Sequence, residues 1–72
     1  MKGRDVQRTL EREPLGYRVV RQRGSHRRME ADGRPPLLFS YHDGATVPPS
    51  VVRKILISDV GLTEEEAWEV LG

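Results

Sequence analysis

The stretch from Arg21 to Arg28 constrains the possible folds of this chain more than any other part of the sequence. It reads Arg-Gln-Arg-Gly-Ser-His-Arg-Arg, with a glycine at position 24 between two runs suited to extended structure. Glycine readily adopts a positive φ angle, which a tight turn between antiparallel strands requires. The stretch therefore predicts a strand, a turn and a second strand, with His26 near the start of the second strand among four arginines.

Three antiparallel strands are predicted in the middle of the chain. The first covers residues 17–22, the second follows the turn, and the third covers residues 37–41 after an Asp-Gly turn signal and two prolines. Alternation along the second strand places Met29 and Ala31 on one face. The opposite face then carries His26, Arg28 and Glu30. If the Met29 face belongs to the core, His26 is exposed.

Two helices are predicted on either side of these strands. Residues 3–13 form the first, because Val6 and Leu10 lie four positions apart among polar residues and Pro14 then ends the helix. The second helix begins near Ser50. Its apolar stripe consists of Val52, Ile55, Leu56 and Val60.

A short last helix is predicted after Gly61. Thr63 and Glu66 are spaced as a capping box, in which each side chain accepts a hydrogen bond from the other residue's backbone amide. The apolar residues expected to dock this helix are Leu62, Ala67, Trp68 and Leu71.

The order of these elements defines the fold class. A helix, three antiparallel strands, a helix and a short C-terminal helix make an α+β fold, and 72 residues make a single domain covering residues 1–72. Helices packed on one face of a three-stranded sheet leave the other face, or one edge, open to a ligand.

The charges are distributed unevenly along the chain. Residues 1–36 hold ten Lys and Arg against five Asp and Glu, whereas residues 37–72 hold two against six. Arginine is far more frequent than lysine, and its guanidinium forms bidentate contacts with phosphate. The clustering of basic residues around one turn therefore indicates contact with a nucleic acid. The alternative is that these charges only form a solvated surface.

Composition argues against several other classes of protein. The chain has no cysteine, which excludes a disulfide framework and a thiolate metal site. No stretch approaches the roughly 20 apolar residues of a membrane span. The charged residues at the start of the sequence are not followed by the apolar run that a targeting segment needs. We therefore expect a cytoplasmic protein without a membrane partner.

Motifs spread over almost the whole chain resemble those of a known family. They are Gly16-Tyr17, Arg21-Gln22-Arg23-Gly24-Ser25-His26, Val47-Pro48-Pro49, Val52-Arg53-Lys54-Ile55-Leu56 and Gly61-Leu62-Thr63. On these motifs the chain is similar to HicA-type messenger-RNA interferase toxins, the small partners in bacterial toxin–antitoxin pairs. The resemblance implies a fold like that of double-stranded-RNA-binding domains, endoribonuclease activity on messenger RNA, and neutralisation by a HicB-like antitoxin.

For the histidine of the Gly-Ser-His segment, the resemblance implies a catalytic role in metal-independent RNA cleavage, which carries over to His26 alone. Such cleavage needs a base for the 2′-hydroxyl and an acid for the leaving 5′-oxygen, and histidine suits both tasks near neutrality. Arginines near His26 in the sequence are suited to stabilise charge on the reacting phosphate, and Arg28, on the same side of the strand, is the first choice. The expected RNA-binding residues are Arg21, Arg23, Ser25, Arg27 and Arg28.

Several other residues have a secondary status. His42 is a candidate second proton-transfer group if the end of the third strand lies beside the first hairpin turn. Tyr17 and Tyr41 have rings able to stack on RNA bases, but core packing is favoured for both. Two histidines with Asp43 as their only companion lack the spacing of a zinc site, and no glycine-rich phosphate loop is present. We therefore expect no metal and no nucleotide cofactor.

Two other functions fit the same basic hairpin. One is a non-catalytic module that recognises double-stranded RNA by its shape. The other is a protein-interaction module whose basic face meets an acidic partner. Cleavage of RNA in the presence of a chelator, giving 5′-hydroxyl ends, distinguishes the enzyme from the non-catalytic RNA-binding module. Partner binding that RNA competitors do not affect indicates the protein-interaction module.

Overall fold

The three strands form one antiparallel sheet in the order β1, β2, β3. The computed structural model describes all 72 residues, and the strands are β1 Arg18–Arg23, β2 His26–Glu30 and β3 Leu37–Phe39. The helices are α1 Gly3–Glu11, α2 Pro49–Lys54 and α3 Glu64–Leu71. None of them is long and apolar enough to cross a membrane. The predicted α+β class is confirmed, and the open sheet with three helices is consistent with a double-stranded-RNA-binding-like fold.

The core lies between the helices and one face of the sheet. Sixteen buried apolar residues, drawn from every helix and from β2 and β3, form a single cluster. Burial alternates along β2, where Met29 is buried while His26 and Arg28 are exposed. The predicted division of this strand into a core face and an outer face is therefore confirmed.

Strand β1 contains a bulge that the sequence pattern does not reveal. Val19 pairs with Met29 and Arg21 pairs with Arg28, so Val20 is an extra residue on β1. Side chains alternate between the two faces of a regular strand, and an inserted residue shifts that alternation by one. Val19 therefore faces the core with Met29, whereas Arg21 faces outward with Arg28.

Strand β3 ends at Phe39, earlier than the predicted end at residue 41. Phe39 pairs with Arg27, so Ser40 lies level with His26, the first residue of β2. Beyond that point β2 offers no further strand residue to pair with, and the chain turns towards α1 instead.

The start of α1 packs closely on the turn that follows β3. The backbone N–H of Gly3 donates to the carbonyl of Ala45 at 2.8 Å. A Cβ atom at position 3 would overlap the carbonyl oxygen of His42, so only glycine allows this approach. The helix ends at Glu11, before its predicted end at residue 13, because Arg12 is already extended.

Helix α2 continues into a π-helical segment, Ile55–Asp59. The helix begins at Pro49, close to its predicted start, with proline in the position that lacks an intrahelical hydrogen bond in any case. At the end of the π segment the backbone N–H of Val60 donates to the carbonyl of Ile55 at 2.9 Å. This bond joins residues five apart, as in a π-helix, and so places Val60 above Ile55 on the same side of the helix. Val60 is thereby buried on the same side as Ile55 and Leu56, and the predicted apolar stripe is buried throughout.

Helix α3 begins with the predicted capping box. The Thr63 hydroxyl accepts from the Glu66 backbone N–H at 3.1 Å. The Glu66 carboxylate accepts from the Thr63 backbone N–H at 2.9 Å. Each of these two backbone N–H groups, which have no partner within the helix, is thus satisfied by the side chain of the other residue.

The face that α3 buries differs from the predicted one. Its buried residues are Ala67 and Val70. Trp68 is 73% exposed and Leu71 is 38% exposed, so the expectation that both dock the helix in the core is wrong. A helix of about two turns buries only one narrow stripe, and Trp68 is rotated by about 100° from Ala67.

Candidate functional site

A two-residue turn joins β1 to β2 and fixes the position of His26. Arg23 and His26 are the last paired residues of this hairpin, with only Gly24 and Ser25 between them. Gly24 has a φ of 60° and Ser25 has no positive φ, which is the pattern of a type II′ turn. Gln22 braces the turn by donating from Nε2 to the carbonyl of Gly24 at 3.0 Å. His26 therefore stands at the end of a short hydrogen-bonded ladder.

Three arginines lie near His26 on the outer sheet face, and Arg18, paired with Glu30, lies at the far end of the same face. Arg23 lies directly opposite His26, and Arg21 lies directly opposite Arg28. Directly paired residues of antiparallel strands point to the same face, and all four of these residues are exposed. We call this set, Arg21, Arg23, His26 and Arg28, the arginine–histidine face. The bulge at Val20 is what turns the two arginines of β1 towards it.

The cations of this face differ in how far the protein already neutralises them. Arg28 Nε lies 3.2 Å from a carboxylate oxygen of Glu30, so part of its guanidinium is engaged. Neither Arg21 nor Arg23 forms an ion pair within the chain. The uncompensated positive charge thus lies on β1, whereas the sequence favoured Arg28 as the phosphate contact.

Arg27 points to the other side of β2 and is not part of the arginine–histidine face. Its side chain is only 10% exposed. The guanidinium donates to Gln7 Oε1 at 2.7 Å, to the Tyr41 carbonyl at 3.3 Å and to Asp43 Oδ1 at 2.9 Å. The expectation that Arg27 contacts RNA does not agree with this placement, because strand parity turns its side chain inward and internal acceptors occupy its donors.

Ser25 and Leu38 lie at the margins of the same face. Ser25 is half-buried in the turn beside His26. Leu38 pairs with Arg28 and is 63% exposed, which makes it a large apolar side chain on an otherwise charged face. Leu38 was not among the residues predicted for this face, although alternation from the apolar residues on either side of it would have placed it there.

His42 lies in the turn after β3. The end of β3 does lie beside the start of β2, as a role for His42 in proton transfer requires. The backbone of His42 serves the turn itself, since its carbonyl accepts from the Ala45 N–H at 3.1 Å and abuts Gly3. The side chain is exposed, and no side-chain hydrogen bond involves either His42 or His26.

Both tyrosines pack on the core, as predicted. Tyr17 is 2% exposed and donates its hydroxyl to the carbonyl of Pro35 at 2.7 Å. Burial raises the pKa of the Tyr17 phenol, and the nearby charge of Arg34 opposes that shift. Tyr41 is half-buried, with its ring tilted against that of Phe39 at a centroid separation of 5.9 Å.

The chemical groups at the arginine–histidine face are one imidazole and three guanidiniums. Histidine, aspartate and glutamate side chains nowhere gather in groups of three or more that could hold a metal ion. The arrangement offers a proton-transfer group beside cations, which suits a phosphate ester.

A small α+β domain with a basic, histidine-bearing sheet face is the class of protein that the fold and the site define. The model of the family described as the HicA toxin of bacterial toxin–antitoxin matches residues 3–62, and the chain belongs to this family. It is therefore a protein of the toxin side of a toxin–antitoxin pair, which implies an antitoxin partner. No curated protein and no solved structure matched the chain.

Proposed function

We propose that this chain is an endoribonuclease toxin that cleaves messenger RNA with His26 as its acid–base group. The observation that carries the proposal is the pairing of Arg23 with His26. A tight hairpin holds an exposed imidazole directly across from a cation that has no protein partner. Membership of the HicA toxin family supports the toxin role.

The substrate supplies its own nucleophile in the proposed reaction. His26 takes the proton of a 2′-hydroxyl, and the 2′-oxygen forms a bond to the adjacent phosphorus. The bond from phosphorus to the 5′-oxygen breaks, and that oxygen gains a proton from solvent. The products are a 2′,3′-cyclic phosphate and a 5′-hydroxyl end, and acid–base catalysis of this kind contributes roughly 10² to 10⁴ in rate.

The arginines stabilise the negative charge that develops on the phosphate oxygens. Preorganised donors act most strongly on charge that appears in the transition state. Arg23 is suited to the scissile phosphate because it is paired directly with His26. Arg21 and Arg28 lie two residues further along their strands, roughly 7 Å away, and are suited to a neighbouring phosphate.

The remaining parts of the proposal concern metal, partner and location. Cleavage proceeds without a metal ion, with His26 as the group that moves the proton. A HicB-like antitoxin neutralises the toxin by covering the arginine–histidine face with acidic groups. Messenger RNA is the substrate, and the cytoplasm is where the two meet.

The test compares His26→Ala with His42→Ala on a long RNA in the presence of a chelator. His42→Ala tests the only other histidine of the chain, which is also exposed and is the candidate second proton-transfer group. We expect the parent and His42→Ala to produce 5′-hydroxyl ends, and His26→Ala to be slower by about 10² to 10⁴. The free energies of unfolding of His26→Ala and the parent, obtained from melting curves, should agree to within about 0.5 kcal/mol, since His26 is a surface residue. Cleavage by folded His26→Ala at the parent rate would refute the assignment.

A second candidate is RNA binding without catalysis. It is favoured by one observation, namely that no hydrogen bond orients the His26 imidazole within the chain. The same experiment distinguishes it, because RNA that is bound in a salt-dependent manner but left intact by the parent protein would indicate this function.

A further inference from the structure

The outer face of the sheet changes in chemical character from β1 to β3 beside the histidine. On β1 it carries Arg21 and Arg23, neither of which forms an ion pair within the chain. On the middle strand, β2, it carries His26 and Arg28. The only exposed residue of β3 is the uncharged Leu38, which is 63% exposed. The face therefore has a cationic side and an apolar side, with the imidazole on the strand between them.

The strand pairings place Leu38 close to the proposed catalytic histidine. Arg28 pairs with Arg21 on one side and with Leu38 on the other, so these three residues form a row across the sheet. The pair of Arg23 and His26 lies two residues further along, roughly 7 Å from this row. Leu38 is thus a diagonal neighbour of His26 on the next strand, close enough for one bound group to touch both.

A nucleotide has the same order of charged and uncharged parts. Its phosphate is anionic, its base is uncharged with largely apolar faces, and the ribose with the 2′-hydroxyl joins the two. Neighbouring strands lie about 4.8 Å apart, so β1 and β3 are separated by about 10 Å, which is close to the reach of one nucleotide from phosphate to base. With the phosphate at Arg23 of β1 and the 2′-hydroxyl at His26 of β2, the base extends over β3.

We propose that Leu38 contacts a base of the RNA and makes the arginine–histidine face selective for unpaired nucleotides. The inference deepens the proposed function and rests on its RNA substrate. The leucine side chain packs on the face of a base near the scissile phosphate, which removes apolar surface of both from water. The bases of a duplex are stacked on their neighbours, whereas the bases of loops and single strands can be splayed out onto a protein surface. The arginines bind phosphates of either form.

A protein contact is the alternative use of an exposed leucine. Surfaces that bind proteins usually gather several apolar side chains into one patch. Leu38 is not part of such a patch, because its neighbour on β2 is the exposed, charged Arg28 and no other residue of β3 is exposed. A single apolar side chain next to cations suits a nucleotide better than it suits a protein surface.

Binding of strands that the protein cannot cut tests this contact without relying on catalysis. The full chain is titrated with a single strand of deoxyuridine and with a strand of equal length and charge in which every nucleotide lacks its base. We expect the parent to bind the base-bearing strand about tenfold more tightly. Leu38→Ala should lose most of this preference and bind the abasic strand as the parent does. Leu38→Phe should keep or increase the preference, because an aromatic ring stacks on bases.

Leu71→Ala is the matched control, since Leu71 is an exposed leucine on α3 and not on the sheet. It should keep the full preference of the parent. Leu38→Ala should also bind a duplex of the deoxyuridine strand with deoxyadenosine as tightly as the parent does. An undiminished preference in Leu38→Ala would overturn the proposal and leave the leucine to a protein contact. Equal losses of affinity for the base-bearing strand and for the abasic strand or the duplex would overturn it as well.

Cleavage of RNA separates a failure of this inference from a failure of the proposed function. A parent that cuts RNA but prefers bases independently of Leu38 refutes the base contact and retains the endoribonuclease. A parent that prefers bases through Leu38 but cuts no RNA refutes the endoribonuclease and retains the base contact. Where both hold, Leu38→Ala should raise the KM for a single-stranded RNA by about tenfold and change kcat less, because the base is held equally in the ground state and the transition state.

Discussion

Arg27 and Asp43 form an ion pair, with 2.9 Å between Arg27 Nη2 and Asp43 Oδ1, that ties β2 to the turn after β3. The arginine is almost fully buried while the aspartate is 63% exposed. The same guanidinium also donates a hydrogen bond to the side chain of Gln7 in α1. One side chain thus connects three elements directly behind His26, which immediately precedes Arg27 on β2.

The first prediction concerns the stability of this connection. Asp43→Ala should lower the free energy of unfolding by about 1–3 kcal/mol, because a nearly buried guanidinium loses a charged acceptor. Asp32→Ala is the matched control, since Asp32 is fully exposed and its oxygen lies 4.0 Å from Arg18. That variant should differ from the parent by less than about 1 kcal/mol. Urea unfolding measures both, and equal losses would contradict the structural role of the Arg27 pair.

Strand parity decided how much of the site the sequence could predict. Alternation from Met29 placed His26 and Arg28 outward, and the structure agrees. The same alternation puts Arg27 inward with Met29, but Arg27 was grouped with the RNA contacts because it is close to them in sequence. Local chemistry was given more weight than strand periodicity, and periodicity was the better guide.

Other features depend on contacts between segments that are distant in the sequence. The bulge at Val20 is defined by which residues of β2 lie opposite β1, so no pattern within β1 alone reveals it. The capping box of Thr63 was predictable because all its hydrogen bonds lie within four residues. The exposure of Trp68 was not, because it depends on which stripe of a two-turn helix meets the core.

The second prediction concerns the arginines of β1. Replacing Arg21 and Arg23 with glutamine should weaken RNA binding and flatten its salt dependence, by a slope of about 0.7 for each lost phosphate contact on a single strand. Arg53→Gln is the control, because Arg53 lies on α2 and is already paired with Glu64. Binding measured over a salt series should show the change for the double variant only. An unaltered slope would place the RNA on another surface.

The third prediction concerns the buried phenol of Tyr17. Tyr17→Phe should cost about 1 kcal/mol at neutral pH, because the carbonyl of Pro35 loses its donor. Burial raises the pKa of Tyr17, so the folded state favours the protonated phenol. The stabilisation is complete below about pH 10, the ordinary tyrosine value, and is lost as the pH rises through the higher folded pKa.

Unfolding measured over an alkaline pH series checks this sign. The advantage of the parent over Tyr17→Phe should shrink above about pH 10. Tyr41→Phe is the control, because the Tyr41 hydroxyl forms no hydrogen bond in the chain and only its backbone carbonyl accepts one. A parent advantage that grows with pH would contradict the burial of Tyr17 as the cause.

The fourth prediction concerns the capping box and acid. The backbone N–H of Thr63, and to a lesser degree its hydroxyl, hold the pKa of Glu66 below its ordinary range. The unfolded chain therefore takes up this proton first as the pH falls. The stabilisation is fully present above about pH 4.3, the ordinary glutamate value, and is lost as the pH falls through the lower folded pKa. The advantage of the parent over Glu66→Gln in unfolding free energy should accordingly shrink between neutral pH and about pH 3.

Glu65→Gln is the control, because Glu65 lies in the same helical turn but makes no capping contact. It therefore separates the effect of the capping hydrogen bond from that of general negative charge at the helix N-terminus. If the two glutamine variants followed the same pH profile, the hydrogen bonds of Thr63 would not be the cause.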